Sequence, residues 1–221
     1  MRLNRYIAFT TGHSRRNADK LIAEGKVFVN GSLASIGTAV QEGDKVTVEG
    51  KQTSTPKTTT IMLHKPVGYV CSRDGQGSKT VYELLPQELS PLKPVGRLDK
   101  DSSGLLLLTN DGNLANQLTH PRYAKQKIYK VTLNKPLPER DRQQLESGVQ
   151  LEDGPSSLSL SGHSKDWHVT LREGRNRQIR RTFEALGYRV TALHRTHFGP
   201  FELGNLKSGT FITADNASPS R

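Results

Sequence analysis

The sequence predicts an α+β protein in which helices and strands follow one another irregularly. Three observations carry that reading. Helix-spaced apolar residues open the chain, short β-branched or leucine-rich runs bounded by turn residues dominate the rest, and the order of elements does not repeat as strict strand, helix, strand. The 221 residues suit a small domain joined to a larger one.

In residues 1–50, Leu3, Ile7 and Ala8 share a helical face, Gly12 interrupts, and Ser14 stands where it can cap a second helix carrying Ala18, Leu21 and Ile22 inward. Gly25 stops that helix. Val27 and Val29 then alternate with polar neighbours ahead of Asn30-Gly31, a dipeptide favoured in tight hairpins, and Val46 and Val48 form another short strand after Gly43-Asp44. The stretch KQTSTPKTTT, Lys51 to Thr60, has no apolar residue and reads as a linker, which gives domains at 1–50 and 60–213. Strands are expected at Ile61–Leu63, Leu105–Thr109, Ile128–Leu133, Trp167–Leu171 and Phe211–Thr213, with helices at Leu114–Leu118, Glu139–Glu146 and Gln178–Leu186. The polar tail after Thr213 is expected to fray.

Lys and Arg total 32 against 21 Asp and Glu, a formal net charge of +11, so acidic partners are expected. No apolar run approaches the roughly 20 residues of a membrane-spanning helix, and MRLNRYIAFTTG lacks the pattern of a cleaved leader. Cys71 is the single cysteine, which excludes an internal disulfide and a cysteine metal cluster and fits a reducing cytoplasm.

Three features carry chemistry. Arg15, Arg16 and Lys20 begin the second helix, with Arg16 and Lys20 on one face; they suit phosphate oxygens, or simply a solvated helix face, since residues 1–50 hold seven basic and five acidic side chains. Gly96-Arg97-Leu98-Asp99 precedes KDSSGLLLLTNDG, placing an aspartate on a loop at the mouth of a buried leucine strand; Asp99 is either presented into a cleft or a turn residue. Between Arg172 and Arg195 stand seven Arg, two Glu and no Lys. Guanidinium forks grip phosphate and carboxylate at two points, so this bias suggests oriented contacts, the alternative being a charged helix face. Ile179, Phe183 and Leu186 lie at helical spacing, and an Arg180 turned inward needs a carboxylate, for which Asp99 is a candidate.

LNRYIAFTTGHSRRNADKLIAEGKVFVNG followed by GDKV resembles the small S-four-like RNA-binding module, and that likeness assigns RNA contact to Ser14, Arg15, Arg16, Lys20 and Lys26. HKPVGYV, GRLDKDSSGLLLLTNDG, KIYKV and EGRNRQIRR, in that order across residues 61–213, resemble the RsuA/RluB/RluE/RluF family of ribosomal RNA pseudouridine synthases. The resemblance implies a mixed, largely antiparallel sheet crossed by helices. It implies isomerisation of a uridine in ribosomal RNA, with large-subunit RNA preferred over small-subunit RNA, and no cofactor or metal. Asp99 would be the essential carboxylate, Arg180 its ion-pair partner lowering its pKa, and Tyr129 the residue that stacks on the base and accepts a proton. Ile179 would pack on the uracil, and Arg97 would fill the gap left by the flipped nucleotide. Lys65 would shape the edge of the site unless its role is structural, and Arg175, Arg177 and Arg181 would bind substrate. Thr182 stands where the family commonly has an apolar residue.

A glycoside hydrolase would require a second carboxylate, for which Asp101 is the candidate, but the Lys between it and Asp99 and the following Ser-Ser suggest a turn. A non-catalytic RNA-binding protein on the same fold is the other competitor. The expected partners are ribosomal RNA or a ribosomal subunit assembly intermediate, with no membrane and a monomeric state.

Overall fold

The computed structural model of the chain describes residues 1–214, so all but Ala214 of the tail expected to fray after Thr213 lies outside the described residues. The chain divides into two compact units, Met1–Thr59 with Asn110–Gly112, and Thr60–Thr109 with the chain from Asn113 on. Among the described residues no helix is long and apolar enough to cross a membrane.

The first unit runs α1 (Leu3–Thr11), α2 (Arg15–Ala23), β1 (Val27–Val29), β2 (Ser32–Leu33), β3 (Val46–Val48) and β4 (Lys51–Gln52), with strand order β2-β1-β3-β4. Ser14 caps α2, its Oγ accepting from the Asn17 N–H at 3.1 Å. Asn30 and Gly31 both take positive φ, 51° and 82°, as a two-residue hairpin turn between right-twisted strands requires. Leu3, Ile7, Ala18, Leu21, Ile22, Val27, Val46 and Val48 form the core with Ala34 and Val40. Two expectations change here. Lys51-Gln52 is no linker but a strand paired with β3, because Val48 and Thr47 offer their edge immediately across the Gly50 turn. Ala8 is only half-buried, since Leu3 and Ile7 already cover the inward side of α1.

The second unit begins with β5 (Thr60–Lys65), β6 (Lys93–Pro94), β7 (Ser103–Thr109), α3 (Gly112–Thr119, entered through the last residue of the first unit), β8 (Lys127–Leu133) and α4 (Glu139–Ser147). It continues through β9 (Val149–Leu151), β10 (Gly154–Ser156), β11 (Ser159–His163), β12 (Asp166–Leu171), α5 (Gln178–Glu184), β13 (Val190–Phe198), β14 (Phe201–Glu202) and β15 (Phe211–Thr213). The main sheet has the order β11-β12-β8-β13-β7-β5-β15, with only β13 and β7 parallel. This is the α+β, largely antiparallel architecture expected.

β7 explains the four-leucine run. Leu106 and Leu108 pack into the core holding Ile61, Tyr129, Val131 and Phe183, whereas Leu105 and Leu107 pack with Met62, Leu118 and Phe198 on the opposite side. All four are fully buried, each worth roughly 1.5–3 kcal/mol. A strand covered on both faces loses the alternation of a half-exposed one. The nine-residue β13 went unrecognised in the sequence because its pattern, VTALHRTHF, interleaves polar residues and two bulges with the apolar ones.

Candidate active site

Everything at the site belongs to the second unit. The loop from β6 to β7 carries Gly96, Arg97, Leu98 and Asp99 and closes a turn in which the Ser102 N–H donates to the Asp99 carbonyl at 3.1 Å. Lys65, at the end of β5, fixes that turn from below: its Nζ donates to the carbonyls of Ser102 at 2.6 Å, Asp99 at 2.9 Å and Pro66 at 3.1 Å. Burial pushes the Lys65 pKa down, and three carbonyls satisfy all three of its donors. Cys71 braces the other end, its Sγ 3.4 Å from both the N–H and the carbonyl oxygen of Leu98.

The turn opens onto a cavity of about 340 Å³. Tyr129 from β8, Ile179 from α5 and Leu193 from β13 give it apolar walls, Lys127, Arg177 and Arg195 bring charge, and Arg97 and Asp99 come from the loop. Asp99 is 31% exposed, while Tyr129 and Ile179 are 8% and 4% exposed. A reachable carboxylate therefore faces a slot lined by a ring and a branched aliphatic side chain.

Electrostatics at the mouth differ from the expected single pair. Arg177 Nη1 and Nη2 donate to the two oxygens of Asp101 at 3.2 and 3.3 Å, and Nη1 stands 3.4 Å from Asp99 Oδ2. Arg180 uses its Nη groups on the carbonyls of Val190 and Asp101, both at 2.9 Å, on Ser102 Oγ, and on Asp101 Oδ2 at 3.3 Å; only its Nε approaches Asp99, at 4.0 Å. Arg180 thus reaches Asp99 at 4.0 Å as expected, but Arg177 stands nearer to Asp99 and the closer contacts of Arg180 go to Asp101. Asp101 takes the closer contacts because its turn carries it toward α5. Burial raises the Asp101 pKa, but the hydrogen bond from Arg177 and the charges of Arg180 and Arg177 outweigh it, and the net displacement is downward.

Three residues expected to contact substrate or shape its site have partners within the protein. Lys65 is fully buried and lies outside the cavity lining. Arg175 touches the cavity wall, but its Nη groups donate to the carbonyls of Asp153, Gly154 and Pro155 and to Asp153 Oδ1. Arg181 grips both oxygens of Asp153 at 3.0 and 2.7 Å and donates from Nε to the Asn176 carbonyl. Both arginines staple the β9–β10 hairpin to the segment entering α5, so their forks are occupied. Arg97 remains exposed at the rim with no ion pair among the described residues.

The sequence also hid a buried polar chain. Gln178 Nε2 donates to Ser156 Oγ at 3.0 Å, Ser156 and Thr182 hydroxyls lie 2.8 Å apart, and Thr182 Oγ1 donates to the Gln178 carbonyl at 2.8 Å. Thr182 is fully buried, and Ser156 and the Gln178 carbonyl satisfy its hydroxyl.

A family profile described as RNA pseudouridylate synthase matches residues 59–185. This chain belongs to that family. A second profile, the S4 domain, matches residues 1–46 of the synthase. The Ribosomal large subunit pseudouridine synthase B of Bacillus subtilis (strain 168) is 38% identical over 218 residues, covering 94% of the synthase and 89% of that protein. Its namesake from Pseudomonas aeruginosa is 38% identical over 217 residues, covering 91% of the synthase and 56% of the longer relative. A solved structure described as Crystal structure of pseudouridylate synthase superposes with a TM-score of 0.71 at 33% identity, covering 96% of the synthase and 95% of that chain.

The S4 residues of the synthase divide in the same way. Lys26 pairs with Glu24 at 2.7 Å and Glu49 at 3.7 Å, and the Glu24 hydrogen bond holds its pKa above the usual lysine range. Lys20 pairs with Glu24 at 3.7 Å, and Arg15 donates to Asn4 Oδ1 at 3.4 Å. Ser14, expected to contact RNA, caps α2 by accepting from the Asn17 N–H, which leaves its O–H donor for a further partner. Arg16 is exposed with no ion pair among the described residues.

Proposed function

We propose that the synthase isomerises a specific uridine of large-subunit ribosomal RNA to pseudouridine, with Asp99 as the essential carboxylate. The observation that carries this is the reachable Asp99 at the mouth of the Tyr129 and Ile179 slot, with two guanidiniums 3.4 and 4.0 Å away. The relatives named for large-subunit RNA support the choice of substrate. The reaction breaks the bond from C1′ of the ribose to N1 of the ring, turns the detached uracil, and joins C1′ to C5, the C5 proton leaving and N1 taking up a proton. Addition of Asp99 to the sugar and elimination to a glycal both use the ionised carboxylate. No redox step or triphosphate enters this balance, so no cofactor is needed.

Tyr129 stacks on the base and accepts the C5 proton, and Ile179 packs on the other side of the ring. Arg97 occupies the gap in the RNA helix once the uridine flips out, since a paired base cannot enter a slot of this kind. Arg177 and Arg180 position Asp99. Arg15, Arg16 and Lys20 of the S4 domain hold phosphates of ribosomal RNA or of a subunit assembly intermediate. Lys26 adds to that face from its Glu24 pair. The protein acts as a monomer in the cytoplasm.

The test is to incubate purified protein with ribosomal RNA transcripts lacking pseudouridine and map new modifications. One new pseudouridine in large-subunit RNA is expected, and none with Asp99→Asn at comparable RNA affinity. Modification of small-subunit RNA would move the substrate, and a normal rate in Asp99→Asn would overturn the role of the carboxylate.

A further inference from the structure

One charged group at the site has no task in the reaction as derived so far. Arg195 lies in β13 directly opposite Tyr129 of β8, lines the cavity, and is 2% exposed. No carboxylate pairs with it among the described residues. Nε donates to the Leu105 carbonyl at 2.8 Å, the guanidinium lies 4.8 Å from the Phe198 ring centroid, and Nη2 is buried without a partner. A guanidinium does not shed its proton in a protein, so the cost of burying this charge is not relieved by neutralisation. Lys127, which lines the same cavity, has its pKa pushed down first by burial and then by the charge of Arg195, against a smaller opposing effect of Glu173.

We propose that Arg195 contacts the uracil ring itself, donating N–H hydrogen bonds to a ring carbonyl oxygen while the ring holds the electron pair released from the glycosidic bond. The inference rests on the reading that uridine is the substrate. When the C1′–N1 bond breaks, the pair stays on N1 and delocalises onto O2 and O4; when C1′ has joined C5, the C5 proton leaves, N1 takes up a proton, and the ring is neutral again. Arg195 gains and loses no proton in this sequence. A donor fixed beforehand at the place where charge appears, in a dry site, stabilises that charge without reorganisation. Depth decides between ring and phosphate. Arg195 is 2% exposed, lies opposite Tyr129 in the sheet and stands over the Phe198 ring, a setting for a flat ring, whereas a hydrated backbone phosphate suits the rim, where the exposed Arg97 and Arg177 stand.

The test compares wild type, Arg195→Met and Arg195→Lys in single turnover on a short RNA carrying the mapped target uridine, or 2-thiouridine or 4-thiouridine in its place. Arg195→Met is expected to lower the rate with uridine about 10²–10³-fold, as loss of one oxyanion donor does, with RNA affinity within about threefold. Sulfur is the weaker acceptor, so at the contacted oxygen the thio effect in wild type and in the variant should differ by about tenfold, while at the other oxygen it should be equal. Should Arg195→Met not fold, Arg195→Lys, which keeps the cation but not the fork, carries the same comparison. Equal thio effects at both positions would overturn the proposal, as would a loss of RNA affinity that accounts for the whole rate loss, the sign of a phosphate contact. No product from wild type with uridine would instead overturn the uridine reading, and the inference with it.

Discussion

Arg177 grips Asp101 at two points, 3.2 and 3.3 Å, while Asp99 stands 3.4 Å from Nη1 alone. Asp101 also receives Arg180, so one carboxylate holds both guanidiniums beside another that is left partly unengaged. Asp101 thereby keeps the cations near Asp99 without quenching it. Asp101→Asn removes that hold and leaves Asp99 as the stronger attraction for both arginines. The single-turnover rate is expected to fall about tenfold with RNA affinity unchanged. An unchanged rate would show that Asp101 is only a turn residue.

Arg177 itself has φ 46°, in the left-handed region that Asn tolerates better than most residues. Arg177→Asn should fit the backbone, leaving stability within about 1 kcal/mol of wild type. Turnover should fall by more than tenfold as the two-point contact is lost, read as denaturation midpoint and single-turnover rate on the same preparation.

Acid should loosen the hairpin that supports α5. The Arg181 hydrogen bonds hold the Asp153 carboxyl below its usual range, against the opposing effect of burial. A folded pKa lower than the unfolded value of about 3.9 contributes stability above that pH and loses it as pH falls through the folded value. The urea midpoint of Asp153→Asn should therefore lie below wild type at neutral pH and converge on it in acid. A gap of constant size would locate its source elsewhere.

Gly104 carries the close approach of β7 and β13. A Cβ there would stand 2.2 Å from the Arg195 carbonyl oxygen and 2.5 Å from its N, at φ 109°. Gly104→Ala must separate two central strands, and a loss of about 3 kcal/mol or more is expected in equilibrium unfolding. Because Arg195 lies on the partner strand, activity should fall further than stability explains.

Arg15→Ala combined with Arg16→Ala should weaken RNA binding evenly across sequences and reduce the slope of log affinity against log salt by about two, without altering the rate of bound RNA. An unchanged slope would remove these arginines from the interface.

Much of the fold was legible because it follows from local periodicity. The helices of the S4 domain, the Asn30-Gly31 turn and the leucine strand each declare themselves within ten residues. β13 did not, since its register depends on β7 and β8 on either side of it. The linker reading failed at Lys51-Gln52 for the same reason: what makes those two residues a strand is the free edge of β3.

The residue types of the site and their order are written along the chain: an aspartate before a buried strand, a tyrosine in a second strand and an arginine-rich entry to a helix. Which cation meets which acid is set by folding. Of the arginines between 172 and 195, two serve Asp153, two gather at Asp101 and one lies unpaired beneath the cavity. Ion pairs form through space between segments about 22 to 79 positions apart, and spacing along the chain holds no record of those distances.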